Sequence, residues 1–337
     1  MGPHEILEDS IDDLISPTNP YRAVACSSGT AGLHLALEAL QLPKGSQVIV
    51  PEFTMIACAR AVTLAGLRPV FVDCGEDDWN IDPVKIVDAI TPLTSAILVA
   101  HIYGRRCDME AIRDITASCT YDHDLRVIED CSEFHGGELY DNYSDAYVWS
   151  FYKNKIVCGE EGGLVYFRSE GTARLARSLR CQGFTEDHDF LHTPFGHNYR
   201  LPDSQASLII ESLQDLQANL QLRRAAANRY DYAIRFKDLA GERICSVRKL
   251  NDIPWVYPIQ LSSGDKSVDE VVKQMNEEGY GARLSFKPMS EQTEYRGHHK
   301  HLNAYNLSRS LFYLPLAYPS LIDAEGAIGL LREIVYD

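Results

Sequence analysis

The sequence has no apolar run near the roughly 18 residues that a membrane-spanning helix requires. It also lacks the basic start and apolar stretch of a secretory leader. Its first residues, Met1-Gly-Pro-His-Glu-Ile-Leu-Glu-Asp-Ser10, are acidic, and Ile6 breaks the myristoylation pattern that Gly2 would open. A soluble, cytoplasmic protein with no membrane partner is the expectation. Cysteine occurs nine times, an odd number, with no CxxC pair of the kind zinc sites use. The scattered positions (Cys26, Cys58, Cys74, Cys107, Cys119, Cys131, Cys158, Cys181, Cys245) predict reduced, mostly buried thiols and no metal. Basic residues are few beside acidic ones, 32 against 48, and the net charge of −16 argues against a nucleic-acid partner. It leaves room for an anionic small molecule in a locally positive pocket. A complete P-loop and a GxGxxG fingerprint are both missing, which weakens the ATPase and dehydrogenase readings. There is no internal repeat and no low-complexity tract.

The 337 residues, 45% hydrophobic and 24% charged, exceed the roughly 250–300 at which a single core stops growing, so two domains are expected. From Ala23 to about Phe167, β-rich runs alternate with helical stretches: Val24-Ala-Cys, Val48-Ile-Val, Pro69-Val-Phe-Val, Ala96-Ile-Leu-Val-Ala, Val127-Ile-Glu, Ala146-Tyr-Val-Trp-Ser-Phe and Gly163-Leu-Val-Tyr-Phe. The spacing predicts crossover helices and an α/β fold with a mostly parallel sheet, sandwiched by helices, whose ligands bind beyond the carboxyl ends of the strands. Leu208, Ile209, Leu213, Leu216 and Leu220 predict one long helix from about Ser204 to Ala240. A smaller C-terminal α+β domain follows, with strands at Trp255-Val-Tyr-Pro-Ile-Gln and Ala282-Arg-Leu-Ser-Phe around a helix over Val268–Glu278. The expected division is residues 1–205 as a large domain and 206–337 as the linking helix and small domain.

Three segments carry chemistry, and each polar residue in them follows an apolar run. Ser150-Phe-Tyr-Lys-Asn-Lys155-Ile-Val-Cys-Gly-Glu-Glu-Gly-Gly163 places a hydroxyl, a lysine five residues later and a glycine pair in one loop. A Schiff-base lysine needs such a rigid segment, a hydroxyl for a phosphate and glycines where the chain returns beside a cofactor. Taken alone, the window also suits two solvated loop lysines, Lys153 and Lys155. Ser27-Ser-Gly-Thr-Ala-Gly32 opens a helix and directs backbone N–H groups and the helix dipole at an anion. Taken alone, the window is more commonly an ordinary Ser N-cap. Val127-Ile-Glu-Asp130-Cys-Ser-Glu133-Phe-His-Gly-Gly137 ends a buried strand in carboxylates that fit either a pyridinium nitrogen or a magnesium ion.

In order, Ser28-Gly-Thr-Ala, Val48-Ile-Val-Pro-Glu-Phe-Thr, Pro69-Val-Phe-Val-Asp, His101-Ile-Tyr-Gly, Glu129-Asp-Cys-Ser-Glu-Phe-His-Gly, Ser150-Phe-Tyr-Lys-Asn-Lys and Gly196-His-Asn-Tyr-Arg resemble the DegT/DnrJ/EryC1/StrS sugar aminotransferases. The resemblance covers the chain from about residue 20 to the end. It implies fold type I, the aspartate aminotransferase architecture, and pyridoxal 5'-phosphate (PLP) as cofactor. Lys155, at the family spacing from Ser150, is then the lysine that holds PLP covalently and later shuttles the proton. Asp130 pairs with the pyridine nitrogen, and Glu133 matches the side chain that contacts the phenolic oxygen. Gly29, Thr30 and Ser150 match the phosphate cradle. Met55 stands where many members place an aromatic ring on the cofactor face, and Glu160 replaces a glycine of the usual turn. Asn198 matches an asparagine that reaches the phosphate in the neighbouring subunit, implying a homodimer with shared sites.

The function so implied is transfer of an amino group from L-glutamate to a keto sugar, in the first instance a nucleotide-linked 4-keto-6-deoxyhexose. A different PLP reaction on the same scaffold, such as keto-cyclitol amination or a modified amino-acid reaction, and a non-catalytic PLP-binding regulator are the alternatives. Arg283, Lys287 and Arg296 are candidates for holding a substrate carboxylate or diphosphate, or are surface charge. Tyr103 is pocket lining or core. His298, His299 and His301 suit a metal less well than a solvated loop.

Overall fold

All seven apolar runs between Ala23 and Phe167 form strands, and one sheet takes them all. The structure is a computed structural model that describes residues 2–15, 22–119, 124–137, 143–184, 190–193, 195–235, 243–249, 252–262, 266–297, 301–316 and 322–336. In chain order the first elements are α1 (Pro3–Ile15), β1 (Ala23–Cys26), α2 (Gly29–Ala39), β2 (Gln47–Pro51), α3 (Ile56–Leu64), β3 (Arg68–Val72), α4 (Pro83–Ala89), β4 (Thr94–Ala100), α5 (Met109–Ser118), β5 (Arg126–Asp130), β6 (Ala146–Ser150), β7 (Gly163–Phe167) and α6 (Glu170–Arg180). The sheet order is β1-β7-β6-β5-β4-β2-β3, with β3, β2, β4, β5 and β6 parallel and β7 antiparallel to both its neighbours. Strand β4 is buried along its whole length, as a parallel strand covered on both faces must be.

Strand β1 has only β7 as a neighbour, and an open edge invites pairing with another chain. Helix α1 covers it with buried carboxylates. Glu8 accepts the Ala25 N–H at 2.8 Å and Asp12 the Ala23 N–H at 2.9 Å, while Arg180 donates to Glu8 at 2.6 Å.

The rest of the chain supplies α7 (Asp203–Gln214), α8 (Leu216–Arg235), β8 (Ile244–Ser246), β9 (Val256–Leu261), α9 (Val268–Glu277), β10 (Arg283–Leu284), α10 (Leu302–Ser310), β11 (Leu311–Pro315) and α11 (Ala324–Tyr336). A second, antiparallel sheet runs β10-β11-β9-β8. The single long helix expected from Ser204 is divided at Asp215. The change of core comes later, within α8: Ala206 and Ile209 of α7 and Leu220 of α8 pack under the large sheet, whereas Ala226, Ala227, Tyr230 and Ala233 of α8 pack with β9, α9, β11 and α11. The strand expected over Ala282–Phe286 pairs only at Arg283 and Leu284, so that Phe286 leaves the ladder and reaches the cavity described below.

Specific polar contacts join the two parts. The Asp73 carboxylate, beyond β3, accepts the N–H groups of Asn303 (3.1 Å) and Ala304 (2.9 Å), placing a negative charge at the N-terminus of α10. The Arg105 guanidinium lies 3.5 Å from the Trp79 ring centroid, pairs with Asp252 at 3.2 Å and donates to the Val247 carbonyl. Gly104 has φ +82°, and a Cβ there would stand 1.9 Å from the Ile253 carbonyl oxygen, so only glycine allows this approach.

Candidate active site

A cavity of about 400 Å³ opens at the carboxyl ends of the parallel strands, lined among others by Gly29, Thr30, Met55, Asp130, Glu133, Ser150 and Lys155. Seven of the eight residues that the resemblance matches to the cofactor site thus share one cavity. Asn198 is not among its lining residues. It is exposed, forms a backbone bridge with Cys181, and accepts a 3.0 Å hydrogen bond from Arg200 Nε. Arg283, Lys287 and Arg296 do not line the cavity either. Of the histidine group, His301 precedes α10, and His298 and His299 lie outside the described residues.

The floor of the cavity is made by close backbone approach. Ser28 caps α2, its hydroxyl accepting the Ala31 N–H at 3.1 Å, and the first-turn N–H groups of Gly29 and Thr30 have no carbonyl within the helix to receive them. A Cβ on Gly29 would lie 2.8 Å from Ser150 Cβ, and one on Gly163 would lie 2.3 Å from the Ser28 carbonyl oxygen. The two glycines therefore set β7, Ser150 and the helix N-terminus side by side, forming a concave, donor-rich surface suited to a phosphate.

Asp130 ends β5 with its carboxylate oriented from two sides. Ser132 N–H donates to it at 3.0 Å and the Cys58 thiol at 3.2 Å. Burial holds that thiol neutral, its pKa well above the usual range, so that it acts as a donor and not as a nucleophile. Glu133 accepts the Tyr103 N–H at 2.7 Å and thereby supports a residue with φ +54°, a left-handed conformation that a bulky side chain rarely adopts. Burial pushes the Glu133 carboxyl up to about 7, against the opposing pull of Lys155. Tyr103 itself is core, stacked on Phe286 at 5.3 Å.

Lys155 lines the cavity and Lys153 does not. The Lys155 Nζ lies 4.1 Å from the centroid of the Trp255 ring, a cation–π arrangement when the amine is charged. Burial pulls the ammonium pKa below its ordinary value; Glu133 and Asp130 oppose the shift and Arg223 adds to it.

The loop from Phe151 to Gly162 is irregular, and its backbone groups are paired largely by side chains from elsewhere. Trp255 Nε1 donates to the Asn154 carbonyl at 3.0 Å and Arg223 to the Lys155 carbonyl at 3.2 Å. His135 Nδ1 accepts from Val157 N–H at 3.2 Å, Ser212 Oγ from Cys158 N–H at 3.0 Å, and Gln205 Oε1 from Glu160 and Glu161 N–H at 2.9 and 3.1 Å. Burial lowers the His135 pKa to about 3, which keeps Nδ1 free to accept. Arg223 also donates to the Trp255 carbonyl at 2.7 Å. These contacts join α7, α8 and β9 to the lysine. Sequence reasoning missed Arg223, Trp255, Gln205, Ser212, His135 and Cys58 because no local pattern marks them; only the chain's return in space brings them to the loop.

The residues fit PLP: a glycine-lined helix N-terminus for the phosphate, an oriented carboxylate for a ring nitrogen, and an amine whose pKa is lowered by burial. Fold and site together define a PLP enzyme of fold type I. Comparison with known proteins narrows the class. The model of the DegT/DnrJ/EryC1/StrS aminotransferase family matches residues 13–326, and the chain belongs to that family. It is 33% identical over 281 residues to a GDP-perosamine synthase of Caulobacter vibrioides, covering 81% of this chain and 74% of that one. To a dTDP-3-amino-3,4,6-trideoxy-alpha-D-glucose transaminase of Micromonospora megalomicea it is 31% identical, covering 98% of this chain and 91% of the relative. Among solved structures, S. venezuelae DesV in complex with a ketimine intermediate superimposes with a TM-score of 0.86 at 27% identity, covering all of this chain and 90% of that one. NtdA of Bacillus subtilis, solved with bound PMP, gives a TM-score of 0.85 at 25% identity over 99% of this chain and 78% of that one. The protein is a PLP-dependent aminotransferase.

Proposed function

We propose that the enzyme moves an amino group from L-glutamate to the carbonyl carbon of a nucleotide-linked keto sugar, a 4-keto-6-deoxyhexose in the first instance. The observation that carries this reading is the convergence of Lys155, Asp130 and the α2 N-terminus on one cavity in a chain whose relatives aminate GDP-, dTDP- and UDP-linked sugars. PLP bound there supplies an aldehyde to receive the amino group and a ring to accept the electrons released at the donor carbon. Lys155, its pKa lowered by burial, takes the proton from the donor Cα and delivers it on the far side of the transfer. Asp130, oriented by Ser132 N–H and Cys58, holds the positive charge at the pyridine nitrogen. Glu133 would contact the phenolic oxygen and Met55 the ring, while Gly29, Thr30 and Ser150 would hold the phosphate.

Asn198 is assigned to the site of a second copy, which makes the working unit a homodimer. Its exposure and its absence from its own chain's cavity lining support that assignment. The large domain is taken as residues 1–205 and the remainder as the linking helices and small domain, and the enzyme is placed in the cytoplasm. The test is spectroscopic. PLP-loaded protein given L-glutamate should release one 2-oxoglutarate per site, and the enzyme, which retains the amino group, should then aminate nucleotide-linked keto sugars in preference to free ones. Retained turnover in Lys155→Ala would overturn the assignment of the lysine, and preference for a free ketone would overturn that of the sugar.

A further inference from the structure

Outside the cavity, α2 carries a second group of chemistry-bearing side chains. His34 and Glu38, one turn apart, face the same side of the helix, and His197 meets them from the segment Gly196–Arg200, a sequence separation that hid the group from sequence reading. His34 Nε2, one Glu38 carboxylate oxygen and a His197 ring nitrogen all lie within 4.8 Å of one another. His197 Nε2 is 2.6 Å from Glu38 Oε2, and His34 Nε2 is 3.6 Å from Glu38 Oε1.

Two further observations point to a ligand. His34 is 4% exposed, yet its Nε2 makes no well-formed hydrogen bond; the Leu64 carbonyl and Glu38 are its polar surroundings. The other ring nitrogen, Nδ1, lies 3.2 Å from the Tyr199 hydroxyl, and Tyr199 stacks on the His197 ring at 4.8 Å. A tautomer with its proton on Nδ1, donated to the Tyr199 hydroxyl, would leave Nε2 free to bind an ion, which is how an outer contact fixes a metal-binding histidine.

We propose that His34, Glu38 and His197 form a site for a divalent transition-metal ion of the zinc class, with water in the fourth position. Bonds of roughly 2.0–2.1 Å in tetrahedral geometry set ligand atoms about 3.4 Å apart, so the cluster closes on an ion through side-chain shifts of about 1 Å. The role is structural. The ion ties α2, whose first turn forms the phosphate cradle, to the segment bearing Asn198. The site stands on its own residues and does not rest on the choice of sugar.

The test uses untagged, PLP-loaded protein treated with a chelator and titrated with Co²⁺, followed by Zn²⁺. One Co²⁺ per chain with tetrahedral visible bands, displaced by Zn²⁺, is expected. His197→Asn and Glu38→Gln should each weaken binding by at least about tenfold, and Tyr199→Phe by a smaller factor. His301→Asn should leave it unchanged. Absence of saturable uptake at one ion per chain overturns the proposal, as does equal affinity in the His197 and Glu38 variants. X-ray absorption at the cobalt edge of the wild type decides the matter even where a variant fails to fold: two imidazoles in the shell support the site, and fewer than two refute it.

Discussion

The Glu52→Gln substitution should make the protein more stable at high pH and little different at low pH. Glu52 follows β2 with no exposed surface, its Oε1 accepting the Ser290 N–H at 2.9 Å and its Oε2 having no hydrogen-bond partner among the described residues, with His301 Nε2 at 3.9 Å. Burial raises its pKa from 4.5 to about 7, and Asp73 and Glu291 push the same way. The unfolded chain therefore ionises first. Stability from the protonated carboxyl is fully present below about pH 4.5 and is lost as pH rises through about 7. At about 1.4 kcal/mol per pKa unit the whole effect is about 3.4 kcal/mol, of which about 2 kcal/mol falls between about pH 5.5 and 8.5. Glutamine keeps the acceptor for Ser290 and does not ionise. Urea unfolding of wild type and variant at both pH values, with PLP held constant, measures the difference, and other titrating groups cancel in it. A stability difference that is the same at pH 5.5 and 8.5 would refute the argument.

Three other substitutions probe the site. Gly163→Ala forces a Cβ against the Ser28 carbonyl oxygen and the Gly29 nitrogen, both backbone, and should destabilise the protein by about 1–3 kcal/mol while weakening PLP binding; unchanged affinity in equilibrium dialysis would show that the cradle yields. Arg223→Met leaves the Lys155 and Trp255 carbonyls without their donor, at about 1–3 kcal/mol each, partly offset because a buried guanidinium is no longer desolvated. With that positive charge gone the Lys155 pKa should rise, so that covalent capture of PLP by the apoprotein requires a higher pH, and an unmoved pH profile would count against the electrostatic role. Cys58→Ala removes one donor to Asp130 and should lower turnover by about tenfold, a loss of about 1.4 kcal/mol in the barrier, with the PLP spectrum shifted; equal kcat would mean that Ser132 N–H alone orients the carboxylate.

The strands were legible because each is a short apolar run, and the cavity residues were legible because each follows such a run. Asp130 and Ser150 are the last residues of β5 and β6, and Gly29 starts the helix after β1. The break at Asp215 was not legible, since Leu213, Leu216 and Leu220 keep helical spacing through it and all pack on the large-sheet core; the change of core further along α8 is a tertiary fact. Nor was the shortening of the strand at Ala282–Phe286, where the demand for Phe286 at the cavity wall overrides a β-rich sequence. The histidine and glutamate of α2 looked like ordinary helix residues because their third member lies on the far side of β7 in the sequence.

The manner in which the lysine loop is held inverts the usual expectation about which positions tolerate change. Glu160 is exposed and is gripped through its backbone N–H by Gln205, so its side chain is free to drift. This accounts for a glutamate at position 160 where relatives are expected to carry glycine. The constraint has moved to Gln205, Ser212, Arg223 and Trp255, so a search for natural variation that retunes this enzyme should look along α7 and α8, far from the loop in sequence, before looking at the loop that carries the reactive amine.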